Sequence, residues 1–159
     1  MLEAAILRAL APRHLLFLCV QNSARSQLAE GIARFLAPAG VTVSSAGSSP
    51  AFVRPQAIRV LKEIGIDISG HRSKSVDQID AASVEAVVTL CAEEVCPVFL
   101  GRALQLHWGL PDPAKAPGDE EARLNAFRGV RDELFRRLKL MFEDWAQVEY
   151  RKGDGDVRA

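Results

Sequence analysis

Short apolar runs alternate with longer amphipathic stretches along this chain. Residues Leu15–Leu18 form an apolar run that is too short for a helix and is typical of a buried parallel strand. Three further short runs, rich in apolar or β-branched residues, are predicted as strands: Val41–Ser45, Ala86–Leu90 and Leu104–His107. Between and after these runs, apolar residues recur every three or four positions, which predicts helices.

The helices have recognisable boundaries. Ser26 is predicted to cap the first helix, whose apolar positions extend to Leu36. Pro55 opens a second helix, and Gly65 stops it. The apolar positions of these two helices are Leu28, Ile32, Phe35, Leu36, Ala57, Val60, Leu61 and Ile64. A short helix within Val76–Ala82 and a long amphipathic helix from Asp119 to about Val148 complete the prediction.

Alternating strands and helices predict an α/β fold. We expect a four-stranded parallel sheet flanked by helices in a single three-layer α/β/α domain. The length of 159 residues fits one such domain with a substantial core. We divide the chain into an N-terminal extension (1–13), the domain (14–148) and a flexible tail (149–159).

Composition and charge exclude some classes of function. Hydrophobic residues make up 48% and charged residues 25%, as in an ordinary globular domain, and the formal net charge is zero. A neutral chain gives no reason to expect nucleic acid, and no apolar run approaches the roughly 20 residues of a membrane span. The first residues carry Glu3 and lack a basic start, so we expect no signal peptide and a cytoplasmic location. Three cysteines suit redox catalysis better than a secreted disulfide framework.

Cys19 ends the first strand, and Arg25 follows it at the start of a helix. A loop in this place converges backbone N–H groups at a helix N-terminus, which favours a bound anion. Such a site also favours the nucleophilic thiolate of Cys19, to which Ser23 and Ser26 could donate. Arg25 can bind a tetrahedral oxyanion through two parallel hydrogen bonds. The alternative without a catalytic role is a buried structural cysteine beside a surface arginine. The predicted oxyanion-binding residues are Gln21, Asn22, Ser23, Ala24, Arg25 and Ser26.

These residues belong to motifs that resemble a known family. The sequence resembles the low-molecular-weight protein tyrosine phosphatase superfamily, and within it the thioredoxin-coupled arsenate reductases more than the phosphatases. The resemblance covers Leu15–Trp145 and rests on CVQNSARSQLAEG, SSAG, VVTLCAEEVCPVF, HWGLPDPA and FRGVRDEL. It implies the phosphatase-like fold, arsenate as substrate with phosphate or sulfate as competing oxyanions, no cofactor, and thioredoxin as reductant.

Cys91 and Cys96 follow the third predicted strand. From the residues alone they could be buried hydrophobes, a redox pair, or half of a zinc site that lacks suitably spaced partners. The resemblance implies that Cys19 attacks arsenate and that Cys91 attacks the thiol-bound arsenic and releases arsenite. Cys96 then resolves the resulting disulfide, and thioredoxin reduces the surface disulfide that remains. Four residues separate Cys91 from Cys96, whereas a longer separation is more usual in this family.

Asp112 lies between two prolines in the loop that follows His107. From the residues alone this is an ordinary turn before a helix. The resemblance implies that Asp112 is the general acid that protonates the departing oxygen of the substrate.

A potassium ion lies beside the loop in some arsenate reductases of this type. Asn22, Glu30 and Ser45 match the positions that would bind it. The further matching positions hold Arg72 and Lys74, whose charges would repel a cation. We therefore predict no metal site.

Two other functions remain open. A tyrosine phosphatase would use Cys19, Arg25 and Asp112, with water hydrolysing a phosphocysteine. It would leave the two later cysteines without a role, and Pro113–Leu124 contains no aromatic residue to line a phosphotyrosine slot. A non-catalytic binder of oxyanions or thiol-reactive metalloids is the third possibility, and it would need no proton donor at Asp112.

Overall fold

The structure is a computed structural model that describes residues 5–6, 9–92, 99 and 101–143. The predicted parallel sheet is confirmed. Its strands are β1 (His14–Cys19), β2 (Thr42–Gly47), β3 (Ala86–Thr89) and β4 (Leu104–His107). They are ordered β2-β1-β3-β4, and every neighbouring pair is parallel. The carboxyl ends of all four strands therefore lie at the same edge of the sheet.

Within residues 14–143 of the described chain, three α-helices pack on this sheet: α1 (Arg25–Leu36), α2 (Pro55–Lys62) and α3 (Glu120–Phe142). Pro55 occupies the first turn of α2, as predicted. The last helix begins at Glu120, one residue after the predicted start, and the Asp119 side chain caps it. Two short 3₁₀ helices cover Val76–Gln78 and Pro113–Lys115. The predicted continuation of α3 to Val148 and the tail 149–159 lie outside the described residues. The domain boundaries stay a prediction.

Several local predictions are wrong. Ser26 does not cap α1, because the helix already begins at Arg25 and Ser26 is fully buried in its first turn. Phe35 is 61% exposed, so only Leu36 of that pair packs against the core. Ile64 lies beyond the end of α2 and is 38% exposed. The predicted helix within Val76–Ala82 is only a three-residue 3₁₀ turn.

The core explains why β1 is so uniformly apolar. All four residues of Leu15–Leu18 are completely buried, because β1 lies between two other strands and both of its faces are covered. One face packs against α1, α2 and α3, and the other packs against Phe99 and residues beside the first 3₁₀ helix. In the described part of the chain, no helix is both long and apolar enough to cross a membrane.

Candidate active site

The loop 19–25 connects β1 to α1 at the carboxyl edge of the sheet. The backbone carbonyls of Val20, Gln21 and Ser23 accept hydrogen bonds of 2.9, 3.1 and 2.9 Å from N–H groups in the segment 49–54. Since the N–H of a trans peptide points away from its carbonyl, these bonds turn the loop N–H groups toward the opposite side. The loop is therefore built to present backbone donors to an anion.

Asn22 holds the loop from behind. It is completely buried and adopts a positive φ of 49°. Its side-chain oxygen accepts hydrogen bonds of 2.9 Å from Gln27 Nε2 and from the backbone N–H of Lys74. Its Nδ2 donates to the hydroxyls of Ser26 and Ser45 at 2.8 and 2.9 Å. All the hydrogen-bonding groups of this amide are thus used to fix the loop conformation.

Gly47 is the last residue of β2, and its lack of a side chain allows β2 to lie close to the loop. A Cβ at this position would lie 2.4 Å from the carbonyl oxygen of Val20, which belongs to the backbone and cannot move away easily. The requirement explains the glycine of the SSAG motif as a packing constraint on the loop.

Cys19 lies at the floor of the loop with only 3% of its surface exposed. Its sulfur is 2.8 Å from Ser26 Oγ, and that hydroxyl already accepts a hydrogen bond from Asn22. The Ser26 hydrogen is therefore available to donate to the sulfur, which stabilises the thiolate. Ser23, the other serine of the prediction, makes no hydrogen bond with this sulfur in the described part of the chain.

Arg25 joins the loop to the ends of two other strands. It is 4% exposed, and its Nη1 donates to the carbonyl of Leu110 at 3.0 Å and lies 3.5 Å from that of Leu90. Its Nη2 is 3.9 Å from Oδ2 of Asp112. The Asp112 Oδ1 accepts a hydrogen bond of 3.0 Å from the N–H of Ala114. One carboxylate oxygen thus caps a turn, as expected for an ordinary turn before a helix, and the other faces the guanidinium of Arg25.

A cavity of about 90 Å³ lies between the loop and Asp112. It is lined by Cys19, Val20, Gln21, Ser23, Ala24, Arg25, Asp112 and Lys115. Asn22 and Ser26, which we predict to bind the oxyanion, lie behind this lining and support it. Lys115 was missed. The sequence could have indicated Lys115 by its position three residues after Asp112, because a 3₁₀ turn brings residues with this spacing to the same side.

Cys91 lies two residues beyond the end of β3, at the same edge of the sheet as Cys19. The Leu90 N–H donates to the carbonyl of Leu18 at 2.9 Å, so the pairing of β1 with β3 continues to the residue before Cys91. Strand spacing and rise then place the Cα atoms of Cys19 and Cys91 roughly 6 Å apart, within the range of a disulfide. Cys91 is disulfide-bonded, whereas Cys19 is free. Cys96 lies outside the described residues, and so its predicted role remains a prediction.

The three side chains that match potassium positions do not fit a potassium ion. The Asn22 oxygen already accepts two hydrogen bonds, and Ser45 Oγ accepts one from Asn22. Both carboxylate oxygens of Glu30 face protein nitrogens, among them the ammonium of Lys74 at 3.8 Å. These oxygens can turn to a cation only by breaking existing bonds, so they do not form a potassium site.

The fold and the site together place a buried cysteine at the floor of a loop between a parallel strand and a helix. The model of the low-molecular-weight phosphotyrosine protein phosphatase family matches residues 14–150. The chain belongs to this family.

Its relatives within the family include several arsenate reductases. It is 44% identical to an arsenate reductase of Halalkalibacterium halodurans over 129 residues, which cover 80% of this chain and 93% of that protein. It is 42% identical to an arsenate reductase of Bacillus subtilis, with 77% and 90% covered.

Solved structures agree with this placement. An arsenate reductase in a phosphate-binding state superposes with a TM-score of 0.69 and 32% identity, covering 83% of this chain and 98% of that one. A thioredoxin-dependent arsenate reductase of Corynebacterium glutamicum superposes with a TM-score of 0.58 and 28% identity, covering 87% of this chain and 70% of that one.

Proposed function

We propose that this chain reduces arsenate to arsenite through a relay of three cysteines and that thioredoxin reduces the final disulfide. The observation that carries the proposal is the free thiol of Cys19 in an oxyanion cavity, with the disulfide-bonded Cys91 at the neighbouring strand end. The similarity to arsenate reductases supports arsenate as the substrate, with phosphate and sulfate as competing oxyanions.

The first step forms a covalent adduct. Arsenate binds to the loop N–H groups and to Arg25, and the Cys19 thiolate attacks arsenic. One arsenate oxygen leaves as water, and Asp112 supplies its proton. Arsenic keeps the oxidation state +5 in this adduct. Lys115 adds a second positive charge to the cavity that receives the anion.

The next steps transfer two electrons to arsenic. The thiolate of Cys91 attacks the Cys19 sulfur of the adduct rather than its arsenic, because only this attack forms a disulfide and leaves the electron pair of the broken arsenic–sulfur bond on arsenic, which leaves as arsenite. The thiolate of Cys96 then attacks the Cys91 sulfur and releases Cys19 as a thiolate. A disulfide at Cys91 beside a free Cys19 is the arrangement expected after this exchange.

Thioredoxin completes the cycle when its dithiol reduces the disulfide between Cys91 and Cys96. The thioredoxin-dependent relative of known structure supports this choice of reductant. Because the relay consumes reducing equivalents at every turnover, we expect the protein to work in a reducing compartment such as the cytoplasm.

Phosphatase activity is the second candidate function, because Cys19, Arg25 and Asp112 would serve it equally well. A larger cavity of about 770 Å³ adjoins the oxyanion cavity, and both share Asp112 and Lys115. Among the described residues, its lining includes no aromatic side chain. It therefore offers space to a leaving group but no ring to stack on phosphotyrosine. This favours hydrolysis of phosphate esters as a side activity.

A coupled assay tests the proposal. NADPH, thioredoxin reductase, thioredoxin and arsenate are mixed with the protein, and NADPH oxidation is followed. We expect arsenate-dependent oxidation that Cys19→Ser and Cys96→Ser both abolish. Hydrolysis of aryl phosphates without arsenate turnover would assign the chain to the phosphatases. Turnover with glutathione but not with thioredoxin would support arsenate reduction and contradict thioredoxin as the reductant.

A further inference from the structure

Glu30, on α1, is a buried carboxylate outside the oxyanion cavity. It is 2% exposed, and a carboxylate in this position is unstable unless positive or hydrogen-bonding groups surround it. Its Oε1 accepts a hydrogen bond of 3.2 Å from Arg34. Its Oε2 lies 3.0 Å from His71 Nδ1 and 3.8 Å from Lys74 Nζ. Burial raises the pKa of Glu30, but these three neighbours outweigh it and hold the pKa below its ordinary value.

The three neighbours do not contribute equally. The Arg34 side chain is 55% exposed, so solvent screens its charge. A histidine is charged only when it binds a second proton. The side chain of Lys74 is 18% exposed, and its ammonium also donates to the carbonyl of Arg72 at 3.0 Å. Arg34 and Lys74 are thus the two permanent cations beside Glu30, and Lys74 is the one whose side chain is mostly buried, which lowers the pKa of its ammonium.

A continuous path of hydrogen bonds leads from this pair to the catalytic loop. His71 Nδ1 lies 3.0 Å from Gln27 Oε1 as well as from Glu30, and since both partners are acceptors, Nδ1 carries the hydrogen. Gln27 Nε2 in turn donates to the side-chain and backbone oxygens of Asn22. The backbone N–H of Lys74 donates to the same Asn22 side chain. The backbone N–H of Lys74 thus bonds to Asn22, and its ammonium lies beside Glu30, so both groups belong to the network that fixes the loop.

We propose that the ammonium of Lys74 is the built-in cation of this site, and that Lys74 and Glu30 position the oxyanion loop without a bound potassium ion. The carboxylate oxygens that would bind a metal cation already face protein nitrogens. Lys74 acts through Asn22 and does not touch the substrate, so it is a positioning residue. Its effect on arsenate turnover rests on the proposed function, whereas its effects on stability and oxyanion affinity do not.

The test compares Lys74→Met with Arg72→Met. Both variants remove one positive charge, but the Arg72 side chain is exposed and only its carbonyl joins the network. The melting temperature and the affinity for inorganic phosphate are measured for each protein in potassium chloride and in choline chloride of equal ionic strength. Arsenate turnover is measured under the same conditions.

We expect Lys74→Met to lower the melting temperature by at least about 5 °C and the phosphate affinity about fivefold. Arg72→Met should change the affinity less than about twofold. Adding Glu30→Gln to Lys74→Met should recover part of both losses, because the buried charge without a partner is then removed. Wild type should behave alike in both salts.

Two results would overturn the proposal. One is a wild-type melting temperature or phosphate affinity that rises in potassium but not in choline. The other is a Lys74→Met protein that cannot be distinguished from Arg72→Met. Absence of arsenate turnover in wild type would instead reject the proposed function, and the stability and phosphate measurements would still decide on Lys74.

Discussion

The two sides of the candidate active site are built in different ways. On one side, three backbone carbonyls of the loop 19–25 accept hydrogen bonds from the segment 49–54, and every polar group of the Asn22 side-chain amide is hydrogen-bonded. On the other side, Asp112 and Cys91 follow the ends of neighbouring strands. Arg25 links the two sides through the carbonyls of Leu90 and Leu110.

This difference matches two chemical tasks. Stabilising an oxyanion requires donors whose positions are fixed before the substrate arrives, and in the proposed function the loop provides them. Thiol exchange requires sulfur atoms that form and break bonds with successive partners, and Cys91, on the other side of the site, is already disulfide-bonded. Changes in the loop should therefore impair every reaction of an oxyanion. Changes on the other side should separate arsenate reduction from phosphate ester hydrolysis.

The largest effect is expected from Cys19→Ser, which removes the nucleophile that both reactions share. Arsenate reduction and aryl phosphate hydrolysis should both fall by more than about a thousandfold. Phosphate binding, measured by calorimetry, should persist because the loop donors remain. Substantial arsenate reduction by this variant would show that the loop cysteine is not the attacking group.

Cys91→Ser should separate the two reactions. Repeated turnover with arsenate should stop, because no thiol is left to break the adduct, whereas aryl phosphate hydrolysis should stay within about twofold of wild type. Assays with both substrates on one reduced preparation give the comparison. Cys96→Ser, which keeps Cys91, should still release one arsenite per chain before its turnover stops, whereas Cys91→Ser should release none. Normal arsenate turnover by Cys91→Ser would end the relay hypothesis.

Asp112→Asn should reduce the rate of both reactions by about a hundredfold, since the departing oxygen loses its proton donor. The amide oxygen of asparagine can still accept the hydrogen bond from Ala114, so the turn should remain intact. Steady-state kinetics should show the loss in kcat with little change in KM. A loss confined to KM would assign Asp112 to binding alone.

Ser26→Ala should have the smallest effect, about a tenfold loss in both activities, because the Cys19 thiolate loses one hydrogen bond. Ser23→Ala is the matched control, since Ser23 lines the cavity without bonding to this sulfur. Equal losses in the two variants would mean that Ser26 does not act through the thiol.

Much of this arrangement could be predicted from the sequence. Cys19, Cys91 and Asp112 each follow a predicted parallel strand, and topology alone brings such positions to one edge of the sheet. Local signals failed where contacts distant in sequence decide the outcome. Ser26 has the character of a helix cap, yet burial turns its hydroxyl toward the sulfur. Lys74 comes 44 positions after Glu30 in the chain, and only the family resemblance placed the two residues at one site; no local pattern predicts that the ammonium faces the carboxylate.

The most direct test of the relay is a single turnover without any external reductant. Fully reduced protein is mixed with excess arsenate, arsenite is counted, and disulfides are located by mass spectrometry. The account predicts one arsenite per chain and a disulfide between Cys91 and Cys96. It predicts a disulfide between Cys19 and Cys91 in Cys96→Ser. Arsenite formation only after an external thiol is added, with Cys91 still reduced, would contradict the account.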